Sequence, residues 1–201
     1  MMRVPSRVSG KSHWPGIFVI VLLLSAAASP PSASGAADAK EKEKARADIV
    51  KMSDATLSRL YKAQPQAKAA VAKAAGYAVF SNFGMLVAGS GTGKGVAVNN
   101  STKKKTYMKM VEVQAGLGFG VKKFRLVWVF EKQKDLDAFI NSGWELGGQT
   151  SAAAQAGGKG SAFAGAMSVA PGIWLYQLTD DGLALELTAK GTKYYKDSDL
   201  N

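Results

Sequence analysis

The stretch of this chain whose residue types could do chemistry is GSGTGKG, Gly89 to Gly95, inside FGMLVAGSGTGKGVAV, Phe83 to Val98. A lysine among glycines suits a phosphate cradle, where bare backbone N–H groups and one cation converge on an anion. The phosphate-loop pattern needs a glycine, four residues, then Gly-Lys followed by Ser or Thr. Setting Gly93-Lys94 in register puts Ala88 at the first glycine and Gly95 at the magnesium-binding hydroxyl, so two fixed positions fail. The context fails as well: the pattern must open a helix, whereas Val96-Ala97-Val98 into Asn99-Asn100 has the composition of a strand entering a hairpin. The stretch therefore predicts no nucleotide site. It predicts glycines at alternate positions, Gly89, Gly91, Gly93 and Gly95, on one face of a sheet where a side chain would obstruct a bend or a packed group. Gly116, Gly118 and Gly120 in AGLGFGV lack the spacing and following helix of a dinucleotide site. With the first set they predict a strongly curved, barrel-like sheet.

Absences narrow the chemistry further. The sequence has no cysteine and one histidine, His13, which lies in a segment shaped like a secretory leader. Without that segment, histidine general-base catalysis, Ser-His-Asp hydrolysis and the usual zinc sites have no residues to use. The carboxylates are scattered: Asp180 and Asp181 fall in a turn, and Asp135 and Asp137 begin a helix. Trp128, Trp144 and Trp174 suit a core or interface better than a ligand box. The sequence predicts no catalytic residues, no metal and no cofactor.

Charge points to a partner class. The formal net charge is +11, and loss of Arg3, Arg7 and Lys11 with the leader would leave +8. Such an excess favours anionic partners. Lys103, Lys104, Lys105 and Lys109 form one cluster, Lys122, Lys123 and Arg125 a second, and Lys190, Lys193 and Lys196 a third. The first two are the candidate contacts to anionic lipid. Nucleic-acid binding is disfavoured because few aromatics are interleaved with these bases for stacking. A protein partner or an acidic polymer is the alternative occupant of a basic face.

The elements that must position these residues are legible in outline. A positive start, an apolar run from Gly16 to Leu24 and small residues up to Ala37 predict a leader and linker over residues 1–37, and so export to a periplasmic or extracellular location. A run this short falls below the ~20 residues that span a bilayer. Residues 38–52 predict a basic lead-in helix, with Lys40, Lys42, Lys44, Arg46 and Lys51 as contacts and a thin apolar stripe of Ala45, Ile49 and Met52. From residue 53 to residue 201 one domain is expected. Ser53 or Asp54 would cap a second helix, and Pro65 would open a third, Gln66 to Ala75, with Ala67, Ala70, Val71 and Ala74 on its packing face. Strands follow in YAVF, MLVAGSG, GVAV, KTYMKMVEVQAGLGFGV and FRLVWVF, then a helix over Lys134 to Asn141. GIWLYQL and LALELTA meet at the Asp-Gly of Asp181-Gly182, a hairpin signal. The fold class is α+β: N-terminal helices on a mostly antiparallel, barrel-like sheet, with a short helix between its earlier and later strands.

This succession resembles the SYLF domain, a lipid-binding module of bacterial exported proteins and of eukaryotic endocytic and actin regulators. The resemblance rests on PQAKAAVAKAAGYAVF, FGMLVAGSGTGKGVAV, VQAGLGFGVKKFRLVWVF, KDLDAFINSGWELG and GIWLYQLTDDGLALELTAKGTKYY, and covers about Ser53 to Tyr195. It implies one non-catalytic α+β domain associated with phospholipid or phosphoinositide. Eukaryotic relatives grip membranes with an amphipathic helix ahead of the domain. The corresponding Lys40 to Met52 has a weak apolar face, so the resemblance implies peripheral electrostatic contact here rather than insertion.

Overall fold

The structure, a computed structural model, describes residues 33–82, 90–113, 124–146, 155–156, 162–180, 182–184 and 191–201. Among them are three helices, α1 (Ala33–Ala63), α2 (Gln66–Lys73) and α3 (Gln133–Ser142). The ten strands are β1 (Gly76–Asn82), β2 (Ser90–Asn99), β3 (Lys105–Val113), β4 (Arg125–Phe130), β5 (Trp144–Leu146), β6 (Gln155–Ala156), β7 (Met167–Ala170), β8 (Ile173–Thr179), β9 (Gly182–Ala184) and β10 (Thr192–Lys196). They form one curled sheet in the order β5-β10-β3-β2-β1-β4-β8-β7-β6, with β9 on β8, and every pairing is antiparallel. This is the α+β architecture the sequence predicts.

Strand alternation splits the apolar residues between two faces. On one face, Phe80 of β1, Met108 and Met110 of β3, Leu126, Trp128 and Phe130 of β4, and Tyr194 of β10 pack with Leu136 and Phe139 of α3. Their rings meet edge-on or tilted: Phe80 and Tyr194 centroids are 4.8 Å apart, Trp128 and Tyr194 5.1 Å, and Phe130 and Phe139 4.9 Å, all within the favourable aromatic range. On the other face, Val79, Val127, Val129, Tyr176 and Leu178 pack against Leu57 and Leu60 of α1 and Ala67, Ala70 and Val71 of α2. The small residues of α2 are the predicted packing face, and they bring that helix close to the sheet. Trp128 is core, as expected, and Trp174 stacks on Phe163 with centroids 4.6 Å apart.

Gly93 and Gly95 behave as the alternation predicts. They share a face with Ala97, and a Cβ at Gly95 would run into the Phe80 ring and the Val79 carbonyl. A Cβ at Gly93 would sit 2.5 Å from the Ser81 oxygen and 2.8 Å from Met110 Cγ. The bare strand is thus the seat for Phe80. Gly89, Gly116, Gly118 and Gly120, and the expected strand MLVAGSG as far as Gly89, lie outside the described residues. The hairpin expected between Thr179 and Gly182 is present: these two residues pair, and the Thr179 hydroxyl donates to the Gly182 carbonyl at 3.2 Å.

Two expectations need correction. No helix starts at Ser53 or Asp54: α1 runs unbroken through both, about 46 Å in all. The residues upstream are themselves helix formers, so the N–H groups a cap would satisfy are already bonded within the helix. Thr56, fully buried, turns its hydroxyl back onto the Met52 carbonyl at 2.8 Å. Helix α2 stops at Lys73 rather than Ala75, with Ala74 already extended. The Asn100 amide donates to the carbonyls of Val71 (2.7 Å) and Ala74 (2.9 Å), and the Asn100 N–H to that of Ala75 (2.9 Å), so a distant hairpin finishes the helix. The segment around Lys193 to Lys196, read from sequence only as a charge cluster, is part of a strand. It is β10, inserted between β3 and β5.

Between α1 and the sheet lie three phenols. Burial pushes Tyr61 and Tyr176 up to about 12, and raises Tyr77 with Asp54 adding to the effect.

Two measurements check this packing. Gly95→Ala should destabilise the fold by about 1–3 kcal/mol, the usual penalty of overpacking, while Thr92→Ala on the exposed side of the same strand should be nearly silent. Equal denaturation midpoints for the two variants would refute the seat assigned to Phe80. The tyrosines set an alkaline limit. Folded Tyr61 and Tyr176 keep their protons up to about 12 whereas unfolded phenols lose theirs near 10. Their contribution is therefore complete below about pH 10 and is lost as pH climbs towards about 12. Urea midpoints across that window should fall less steeply in Tyr61→Phe than in the parent; parallel slopes would contradict the assignment.

Candidate functional site

Two features of the α1 face offer a site: a tip of exposed lysines and a cavity under the helix. The tip is the β2–β3 connection, Asn100 to Lys104. Its backbone is held from inside. Asn99 Oδ1 accepts from the N–H groups of Ser101 (2.9 Å) and Thr102 (3.0 Å) and from the Ser101 hydroxyl (2.7 Å), and Lys103 takes a left-handed φ of 58°. Asn99 Nδ2 also donates to Gln133 Oε1 of α3 at 3.0 Å, and Asn100 clamps the end of α2. The tip is thus tied to two helices, and Lys103, Lys104 and Lys105 project from it exposed, with no ion pair among the described residues.

Lys109 does not join them. It lies four residues further along β3, about 13 Å away. Its ammonium bridges Asp197 and Asp199, each at 2.9 Å, and Asp197 is 2% exposed. Both carboxylates hold the Lys109 pKa above its ordinary value, and Lys109 holds that of Asp199 below its own. Arg125 lies under α1, half-buried, with Nη1 3.5 Å from the Thr56 hydroxyl. Lys122, Lys123 and Lys190 lie outside the described residues, while Lys193 and Lys196 are exposed on β10.

The lead-in residues divide in the same way. Lys40, Lys42, Lys44 and Lys51 are exposed on α1, but Asp38, Glu41, Glu43 and Asp48 alternate with them. Arg46 turns inward, donating from Nε to the Leu200 carbonyl at 2.8 Å and standing 5.8 Å from the Tyr107 ring centre. The stripe of Ala45, Ile49 and Met52 faces the sheet, packing in part with Val96, Val98, Tyr107 and Leu200, so it is turned away from the outer surface. Val98 pairs with Lys105 and clusters with Ala45, Ile49 and Met52, so α1 crosses the strand pair that carries the lysine tip at one corner.

Below this corner, α1 and strands β2, β3 and β10 enclose a cavity of about 580 Å³. Ala45, Asp48, Ile49 and Met52 form its helical wall, Thr92, Gly93, Lys94, Lys109 and Met110 its sheet wall, and Tyr195 one side. Lys94 sits here on a strand whose backbone is paired on both edges, to β1 and to β3. Those N–H groups are committed to ladders and cannot cradle a phosphate, so the geometry rejects the nucleotide reading. Sequence reasoning missed this cavity and the Asp197–Lys109–Asp199 bridge because both depend on β10. The alternation in TKYYK, with Thr192 and Tyr194 buried and Lys193 and Tyr195 exposed, was the available signal. Among the described residues no cluster of acids or histidine could hold a metal, and no helix is long and apolar enough to cross a membrane.

Residues 111–201 match the family described as "Ysc84: Las17-binding protein actin regulator". The chain is also similar to "Beta cell expansion factor A" of Aeromonas veronii, at 41% identity over 162 residues, which is 80% of this chain. It spans 60% of that protein's length. The family match begins at the end of β3 and takes in β4, α3 and every later strand. Over residues 111–201, then, the chain matches the Ysc84, or SYLF, family.

Proposed function

We propose that this protein is a non-enzymatic, exported domain that binds anionic phospholipid surfaces peripherally. The observation that carries the proposal is the lysine tip: three consecutive exposed cations, unpaired among the described residues, on a turn tied to α2 and α3. A rigid point of charge costs little ordering entropy on contact, and each cation near an anionic leaflet contributes about 1 kcal/mol. The exposed lysines of α1 add positive charge to the surface but are diluted by their acidic neighbours. Because the apolar stripe of α1 faces the sheet and not the outer surface, contact is electrostatic rather than insertive. The leader-like first 37 residues support export.

A second reading, a scaffold that holds a protein partner, is favoured by the description of the family as a Las17-binding protein. Under it the same basic corner meets an acidic surface of that partner.

Co-sedimentation with liposomes decides between them. Binding should need anionic lipid, weaken as ionic strength rises from about 0.1 M to 1 M and the Debye length shrinks from about 10 to 3 Å, and drop roughly a hundredfold when Lys103, Lys104 and Lys105 are all changed to Ser. Binding indifferent to lipid charge would sink the membrane reading. Recovery of a stoichiometric protein partner by a chain that ignores liposomes would establish the second.

A further inference from the structure

We infer that the cavity beneath α1 is a binding site for a single-chain anionic amphiphile, its acyl chain between helix and sheet and its head on Lys94. The inference deepens the membrane reading but rests on different residues from the lysine tip. A volume of about 580 Å³ lies within the ~300–1,000 Å³ of ordinary ligand pockets. The apolar lining comes from Ala45, Ile49 and Met52, one helical stripe about 10 Å long, across from the strand backbone at Gly93 and Met110, with Tyr195 at one side. One narrow stripe accommodates one chain.

The polar groups select the head. Lys109 is already engaged by Asp197 and Asp199, so an anion placed on it would have to compete with two carboxylates. Lys94, on the same strand pair directly opposite Lys109, is exposed and has no ion-pair partner among the described residues. An anionic head on Lys94 gains a charge-assisted hydrogen bond without breaking one. Asp48, on the helical wall, is the acidic group that opposes an anion there. Binding should therefore respond in opposite directions to the removal of these two charges. A free fatty acid and a lysophospholipid share the required chemistry.

The test uses the full chain with two probes below their micellar concentrations, laurate and lysophosphatidic acid, and dodecanol as the uncharged comparison. Titration calorimetry should show one site for at least one anionic probe. Lys94→Gln should weaken it about tenfold, the loss of one charge-assisted hydrogen bond, and Asp48→Asn should tighten it. Thr92→Trp, which fills the cavity from an exposed strand position, should abolish binding. If circular dichroism shows that variant unfolded, the two charge variants alone carry the decision. Whichever anionic probe binds identifies the source of the ligand. No binding of either probe, equal binding of dodecanol, or affinity unmoved by both charge variants overturns the inference. Liposome co-sedimentation of Lys94→Gln separates this site from the tip. Loss of laurate with liposome binding intact supports the cavity as an independent site, and laurate binding by a chain that ignores liposomes leaves the cavity standing while the membrane reading falls.

Discussion

Phe80 rests on the bare backbone of Gly95, and much of the fold follows from that contact. A side chain at Gly95 would push Phe80 away from Tyr194 and Phe139, whose rings it meets at 4.8 and 6.1 Å. Those rings in turn pack on Trp128, so strands β1, β4 and β10 and helix α3 share one aromatic core. Because β1 and β4 are covered on both faces, their residues are buried almost without interruption. A sheet so enclosed stands on close packing rather than on crosslinks, as the absence of cysteine requires.

The opposite face sets what the surface can do. Helix α1 turns its modest apolar stripe to the sheet and keeps its lysines in solvent, while Arg46 and Arg59 bond backbone carbonyls. An amphipathic helix has one apolar face, and burying it in the domain removes it from any bilayer. Along β3 the distribution of charge has a comparable logic. At the tip the lysines are unopposed, while further in Lys109 is paired with the buried carboxylate of Asp197 and with Asp199. Lysines close in sequence therefore do different work: some present charge to solvent and one holds the last residues of the chain to the sheet.

Local signals in the sequence were legible wherever chemistry is local. The hairpin joining β8 and β9, the small-residue face of α2 and the alternate glycines of β2 could be recognised because each depends on neighbouring residues or on a period of two. The end of α2 could not, since Asn100, some 25 residues on, completes it. Nor could the continuity of α1. Ser53 and Asp54 have the composition of a cap, but a cap forms only where upstream residues leave N–H groups unsatisfied. Of the candidate contacts, Lys103, Lys104 and Lys105 stand exposed as their setting in a polar turn suggests, whereas Lys109, Arg46 and Arg125 are drawn into internal contacts.

By itself the sequence determined the α+β class, the strand faces and the family, because composition, periodicity and motif order persist without contacts. Only the tertiary structure decided which charges remain available and where a cavity opens. Both follow from β10 entering between β3 and β5, which carries Tyr195 to the cavity and leads Asp197 to Lys109. A pairing across more than 80 residues leaves no local trace, because antiparallel ladders constrain which face a residue occupies but not which strand it meets.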